Sequence, residues 1–562
     1  MKLSPRLDIA DGMNAKLEMT RNRLMVVIFL FAAAFVFLGV RTLDLGLLQQ
    51  VREVGSGRTG YATVMPARAD IVDRNGVVLA TNLDTASLHA NPREILDANE
   101  AARLLVRVLP DLSEADLKAK LSSSAQFVWI KRKLTPRQKW KVNALGLPGL
   151  HFRIEEERIY PQGKMAAHVL GHVDVDGKGI AGVERFFDQR LSDPEFAQKP
   201  LQLSIDSRIQ HALADEMMDT VERFSAKGAA GVVMDVNTGE VLAMVSLPDY
   251  DPNRAGTAIP DARFNRASKG VYELGSIFKT FTLAMALDGG VVDMNSSYDA
   301  TYPIRVGRFQ IRDDHPKSRV MSVPEIFTYS SNIGVAQMAL DVGGEAQQEF
   351  LGQLGLLRAP VLELEEVGYP IYPDRWRDIN TMTISYGHGI AVSPLQVASG
   401  MAAMVNGGSL IPATLIKNPD GAHADERARG RRIISDATST QVNSLLRAAV
   451  KLGTGSNADV PGYRVGGKTG TAEKSAVGGY KEDALISSFV GVFPMDAPRY
   501  LVLVAFDEPK GIAATYNFAS AGWVAAPAVG RVVGRIAPLL GVEPGNEEVN
   551  GFQQVSLLVE PD

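Results

Sequence analysis

The sequence predicts a multidomain α/β (α+β) chain carried on a single N-terminal transmembrane helix, on three observations. At 562 residues the chain is long enough for roughly three or four ordinary domains. The run LMVVIFLFAAAFVFLGV from Leu24 to Val40 contains neither a charge nor an amide. Farther on, β-rich runs at both ends of a long C-terminal stretch enclose several helical segments, as in a sheet completed only when the C-terminus returns. Composition narrows the function classes. Lys+Arg at 59 against Asp+Glu at 64 gives a net charge of −5, with no basic excess to neutralise a phosphate backbone, so nucleic acid is not an expected partner. Hydrophobic residues at 46% and charged residues at 22% describe a folded chain, and the absence of cysteine removes disulfides, thiolate metal sites and cysteine nucleophiles.

Lys2, Arg6, Lys16, Arg21 and Arg23 precede the apolar run and only Arg41 immediately follows it, so the positive-inside rule makes residues 1–23 a cytoplasmic tail. Residues 24–40 are expected to be an uncleaved signal anchor, since no small-x-small site follows Gly39-Val40-Arg41 and the stems of Arg23 and Arg41 can snorkel to the two interfaces. Everything after residue 41 then lies outside the cytoplasm. Gly55, Gly57 and Gly60 mark 41–65 as a stalk or linker.

Residues 66–200 read as a mixed α+β domain. Asn75-Gly76 between Ile71-Val72 and Val77-Val78-Leu79 signals a hairpin, and LDANEAARLLVRVL at 96–109 has helical spacing. The polar stretch SDPEFAQKP leads into LQLSID, placing a boundary near 195–205. The domain over 201–540 opens on a hairpin, GAAGVVMDVNTGEVLAMVS at 228–246, turning at Asn237-Thr238-Gly239. SIFKTFTLAMALDGG and SVPEIFTYSSNIGVAQMAL supply helices, 487–494 and 500–506 strands, and 521–540 a closing helix; 541–562 is a tail.

Three short segments carry chemistry. Ser276 and Lys279 in GSIFK stand three apart at the start of a helix, which puts their Cβ atoms about 5–6 Å apart, within reach for Oγ and Nζ. A serine hydroxyl needs a nearby base, and lysine serves only when neutral, a state favoured by burial and by a second cation. Ser330-Ser331-Asn332 offers a hydroxyl to pass a proton and a carboxamide to hold a substrate amide; the same residues also suit a helix N-cap. Lys468-Thr469-Gly470-Thr471, in RVGGKTGTAEK, fits a strand that pairs with an extended peptide and grips its carboxylate, or a Gly-rich turn with a solvated lysine.

In this order S-x-x-K, S-x-N and K-T-G resemble the motif set of penicillin-binding proteins and serine β-lactamases. YELGSIFKT, SSNIGVAQMAL, SYGHGIAVSPLQVA and VGGKTGTAEK are similar to class B penicillin-binding proteins, as are RADIVDRNGVVLAT and YPQGKMAAHVLGHVDVDGKGIAGVE upstream. The resemblance runs from about 66 to 540 and is nearest to the division-specific septal peptidoglycan D,D-transpeptidases. It implies a non-catalytic pedestal or dimerisation-like domain followed by a penicillin-binding transpeptidase domain whose antiparallel sheet is flanked by helices. It further implies Ser276 as the acylated nucleophile, Lys279 as its base and Ser330 as a proton relay. Asn332 would bind the stem-peptide amide, Lys468, Thr469 and Gly470 the substrate carboxylate end, and the N–H groups of Ser276 and Thr471 the oxyanion. Neither metal nor organic cofactor is implied. The implied partners are peptidoglycan stem peptides, β-lactams as covalent inhibitors, a SEDS-family glycan polymerase and other division proteins, at the septum of a bacterial inner membrane with the catalytic part periplasmic. Two departures are visible: Ser331 stands where the S-D-N form has Asp, and Leu274 where relatives often have proline.

Other readings are weaker. His168 and His172 in HVLGH lack a neighbouring glutamate and a third ligand, Glu155-Glu156-Glu157 reads as a solvated face, and nothing local fixes Asp313-Asp314-His315 as a triad with Ser276. An elongation-specific relative, a β-lactamase, a membrane-anchored β-lactam sensor and an idle division scaffold share parts of the pattern. The intact motifs disfavour the scaffold, and the short cytoplasmic tail disfavours the sensor.

Overall fold

The computed structural model describes residues 25, 29–36, 38–39, 68–307, 309–418, 430–476, 479–545 and 552–559. The chain divides into two compact units, Met1–Met65 and Pro66–Asp562. In the first, residues 29–36 and 38–39 are helical, and Phe29, Phe31, Phe35 and Leu38 are exposed. Among the described residues no helix is long and apolar enough to cross a membrane. Met25 is helical as well; residues 24, 26–28, 37 and 40 of the expected span, with the tail before it and the stalk after it, lie outside the described residues.

The second unit begins as the hairpin signal foretells. Strand β1 (Ile71–Val72) turns back into β2 (Val78–Ala90), and the Asp73 carboxylate closes the turn by accepting from the N–H groups of Asn75 and Val77 at 2.8 and 2.9 Å. The long β2 pairs antiparallel with β3 (Val128–Leu134) on one side and with β4 (Leu150–Ile159) on the other. Helices α1 (Ala98–Val108), α2 (Glu114–Leu121) and α3 (Pro136–Asn143) start at the capping side chains of Asp97, Ser113 and Thr135. They bury Leu105, Leu117 and Val142 against Leu88 and Ile130 of the sheet. The stretch 92–145, rich in helix formers, thus also contains β3, where Ile130 and Leu134 alternate with more exposed residues.

A buried ion cluster joins the two ends of this region. Glu184, fully buried, accepts from Arg68 Nε and Arg158 Nε, both at 2.7 Å; Arg68 also reaches Asp188 at 2.8 Å. His168 and His172 do not converge as ligands: Nε2 of the first lies 2.8 Å from Ala262 O and Nδ1 of the second 3.4 Å from Tyr250 Oη. Strand β5 (Leu201–Gln202), inside the stretch read as a boundary, pairs parallel with β1.

From there α4 (Ser207–Arg223) leads to the second sheet, formed by β6 (Gly228–Asp235), β7 (Val241–Leu247), β8 (Gly466–Ala476), β9 (Gly479–Phe493) and β10 (Tyr500–Asp507) in the order β8-β9-β10-β6-β7, antiparallel throughout. Strands β6, β7 and β10 are buried on both faces because both faces of the sheet are covered. Val232, Met234, Leu501 and Leu503 pack with Phe278 and Phe281 in one cluster, whereas Val233, Val502 and Val504 pack with Met217 of α4 and Val529 of the closing helix in another. On the first face lie α5 (Lys279–Asp288), α6 (Val323–Thr328), α7 (Asn332–Val342), α8 (Pro394–Val405) and α9 (Asp436–Lys451). The closing helix α10 (Ala525–Leu539) seals the second with Val529, Val533 and Ile536, whose burial contributes on the order of 5 kcal/mol. The expected tail holds one more helix, α11 (Phe552–Leu557), which buries Val555 in the first cluster; Leu558 O beside it accepts from Ser322 Oγ at 3.0 Å.

Candidate active site

Both expected helices break where the chemistry-bearing residues sit. SVPEIFTYSSNIGVAQMAL forms α6 and α7 with a kink between them, because Ser330 takes φ +63°, a left-handed conformation unusual for a residue with a Cβ. The kink aims the Ser330 hydroxyl back at the start of α5. GSIFK likewise enters α5 through one tight helical turn, Gly275–Phe278, with Gly275 at φ +58°.

Lys279 and Lys468 are both buried, and their ammonium groups meet at Ser330. Lys279 Nζ lies 3.0 Å from Ser330 Oγ and also donates to the Ser330 carbonyl; Lys468 Nζ lies 2.9 Å from the same Oγ. No direct hydrogen bond joins Ser276 and Lys279; Lys279 donates instead to the Ser330 hydroxyl and carbonyl. Burial pushes Lys279 down to about 7, a fall opposed by the carboxylates of Asp313 and Asp314. Burial, reinforced by the charge of Lys279, holds Lys468 well below the ordinary lysine range. A hydroxyl has one proton and two lone pairs. With Lys279 neutral, Ser330 Oγ accepts from Lys468 and donates to Lys279, so it can carry a proton between the two nitrogens.

Strand β8 brings the rest. Lys468 also reaches Thr469 Oγ1 at 3.3 Å, and that hydroxyl meets Thr454 Oγ1 at 2.8 Å. Gly470 is needed for close approach: a Cβ there would lie 2.1 Å from Leu274 O, just before the Ser276 turn. Thr471 backs the same turn, since a Cβ on Gly275 would lie 2.6 Å from Thr471 O; its Oγ1 accepts from Ala521 N at 3.0 Å. Half-buried Ser276 thus stands on a turn wedged against the edge strand. Asn332 is the outlying member, its Nδ2 donating to Arg312 O at 2.8 Å. Ser331, read either as part of the site or as a cap, is the N-cap of α7, accepting from Gly334 N at 3.0 Å.

Thr454 and His388 are neighbours to which the motifs give no role, and Asp314 enters the sequence reading only within the Asp-Asp-His run. Burial, then the charge of Lys279, lowers His388 below its usual range. Their proximity comes from chain segments far apart in sequence, for which no spacing signal exists. Asp313 was visible in the Asp-Asp-His run, but its place is beside Ser331, not Ser276.

Residues 229–530 match the family described as the penicillin binding protein transpeptidase domain, and 63–192 the penicillin-binding protein dimerisation domain. The chain is 44% identical over 94% of its length to a probable peptidoglycan D,D-transpeptidase FtsI of Caulobacter vibrioides, covering 90% of that protein. It is 31% identical over 86% of its length to the peptidoglycan D,D-transpeptidase FtsI of Escherichia coli, covering 85% of it. Among solved structures, penicillin binding protein 3 from Mycobacterium tuberculosis complexed with aztreonam superposes with a TM-score of 0.67 at 25% identity, over 86% of this chain and 98% of that one.

Proposed function

The chain belongs to the class B penicillin-binding protein transpeptidases, and from that premise we propose that it is a peptidoglycan D,D-transpeptidase that cross-links stem peptides of the septal wall and is acylated by β-lactams. The observation that carries the reading is the single hydroxyl of Ser330 bridging two buried lysines beside the Ser276 turn.

In this reading Ser276 Oγ attacks the carbonyl carbon of the penultimate D-alanine and gives its proton to neutral Lys279. The N–H groups of Ser276 and Thr471 receive the charge that develops on the carbonyl oxygen. The C–N bond then breaks, and the terminal D-alanine leaves with a proton delivered through Ser330 Oγ. An amine of a neighbouring stem attacks the ester, loses its proton to the same relay and releases Ser276. Lys468 and Thr469 hold the terminal carboxylate, with Gly470 keeping that strand close, and Asn332 holds the stem amide. A β-lactam presents its ring amide in the same place, but its leaving nitrogen stays tethered and the acyl-enzyme persists.

The segment 24–40 serves as the membrane anchor, with residues 1–23 cytoplasmic and the catalytic part periplasmic. A SEDS-family glycan polymerase and other division proteins dock through the anchor and the domain over 66–200.

Incubating the full chain in detergent with a fluorescent penicillin, followed by mass mapping, tests the chemistry. A lasting adduct on Ser276 is expected. Drug hydrolysis without an adduct would make the protein a β-lactamase, and intact drug without an adduct would refute the acyl-enzyme.

A further inference from the structure

The loop that follows the short strand Phe309–Ile311 packs against the head of α7 and contributes one carboxylate to it. Asp313 Oδ1 accepts from the backbone N–H groups of Asn332 and Ile333 at 2.6 and 2.9 Å, and Oδ2 accepts from Ser331 Oγ at 2.7 Å. The preceding carbonyl, of Arg312, holds the Asn332 side chain. The whole Ser330–Ser331–Asn332 turn, with Ser330 in its left-handed conformation, therefore hangs from two consecutive residues of another segment. Where the S-D-N form of the motif has an aspartate in its middle position, this chain has Ser331, and the hydroxyl of Ser331 donates to an aspartate supplied from elsewhere in the fold.

We infer that Asp313 is a positioning residue of the acylation site: its carboxylate fixes the strained Ser330 turn and places a negative charge on the side of buried Lys279. This rests on the transpeptidase reading above. Two independent consequences follow from one side chain. The first is geometric, because the direction of Ser330 Oγ toward both ammonium groups depends on the turn that Asp313 caps. The second is electrostatic. The titratable and charged groups facing Lys279 are Lys468 from β8, Asp313 and Asp314 from the loop, and His388 from the segment beyond Asp378–Ile384. The two carboxylates favour the ammonium form of Lys279 against burial. A base that burial alone would leave too weak is thereby kept near neutrality, where proton transfer is most efficient.

The test compares rates of fluorescent-penicillin acylation of the full chain across the neutral pH range for wild type, Asp313→Asn, Asp313→Glu and Ser331→Ala. Asp313→Asn keeps an acceptor for the two N–H groups but loses the charge, so the acid limb is expected to move about one pH unit toward acid while the plateau falls several-fold. Asp313→Glu keeps the charge, and Ser331→Ala removes only the hydroxyl link; both are expected to keep the wild-type midpoint. An Asp313→Asn variant that unfolds, or that loses rate or thermal stability at an unmoved midpoint, overturns the inference and leaves Asp313 an ordinary helix cap. A shift of equal size in Ser331→Ala also overturns it, because the charge would not then be responsible. A wild-type chain that takes no label refutes the transpeptidase reading itself and this inference with it, whereas a labelled wild type with coincident profiles refutes this inference alone.

Discussion

Lys279 and Lys468 share one acceptor: Ser330 Oγ stands 3.0 Å from the first nitrogen and 2.9 Å from the second. Two ammonium groups brought this close, both removed from water, repel each other and each lack most of their hydration. The arrangement lowers its energy by releasing a proton from the pair. Fold and proposed function are linked here, since the sheet and helix layers that bury the lysines are also what pushes Lys279 down to about 7.

That linkage sets a pH profile. Lys279 titrates near 7, so below that pH it is an ammonium and cannot take the proton of Ser276. The acylation rate should rise as pH increases through about 7 and level off above it. Replacing Lys279 with alanine should lower the rate by about 10³-fold or more. Stopped labelling at a series of pH values measures both, and a flat profile would remove Lys279 as the base.

The same shift bears on stability. The folded pKa of Lys279 is depressed, so between about 7 and its ordinary value of 10.5 the unfolded chain binds more protons than the folded one. The burial penalty is therefore fully present below pH 7 and fades as pH rises toward 10.5. Thermal unfolding of wild type and Lys279→Met, compared at pH values from 7 to 9, should show wild type gaining on the variant as pH increases. Parallel curves would contradict this.

Ser276→Ala should abolish covalent labelling by penicillin while leaving the melting transition within about 0.5 kcal/mol of wild type, because the half-buried hydroxyl has no hydrogen bond to Lys279 to lose. Retained labelling would place the nucleophile elsewhere.

How much of this was legible depends on the kind of signal. Periodicity and turn chemistry act locally, and so Asn75-Gly76, the hairpin at Asn237-Thr238-Gly239 and the helix ending near Leu539 stand where the sequence puts them. The three motifs were legible as motifs, and the fold brings Lys279, Ser330 and Lys468 into contact. The direction of the Lys279 side chain was not, because it depends on the positive φ of Ser330, which nothing in Tyr-Ser-Ser-Asn announces. Thr454 was hidden for a related reason, being recruited by tertiary packing from a segment whose own pattern is that of an ordinary loop, and Asp313, visible in the Asp-Asp-His run, could not be assigned to Ser331 because only that packing brings the two together.

Removing Glu184 tests the ion cluster of the N-terminal region. Its carboxylate is fully buried between Arg68 and Arg158, so Glu184→Ala leaves two guanidinium groups without their main counter-charge. Breaking a buried pair in this way costs about 3–5 kcal/mol. Denaturant unfolding should show that loss, and a change under about 1 kcal/mol would mean that water replaces the carboxylate.

Gly470→Ala isolates the contact between the edge strand and the nucleophile turn. The added methyl would meet Leu274 O at 2.1 Å and Ser488 Oγ at 2.6 Å. The serine side chain can rotate away, although it would give up its 2.9 Å bond to Gly470 O; the Leu274 carbonyl is backbone and cannot move without carrying Gly275 and Ser276 with it. The cost in stability should be about 1–3 kcal/mol. The larger effect should fall on acylation, because displacing the nucleophile by about an ångström lowers the rate about a hundredfold while β8 still presents Lys468 and Thr469 to the carboxylate. The acylation rate constant should therefore drop far more than the affinity for unreacted drug weakens. Equal losses in both would mean that the strand, not the Ser276 turn, has moved.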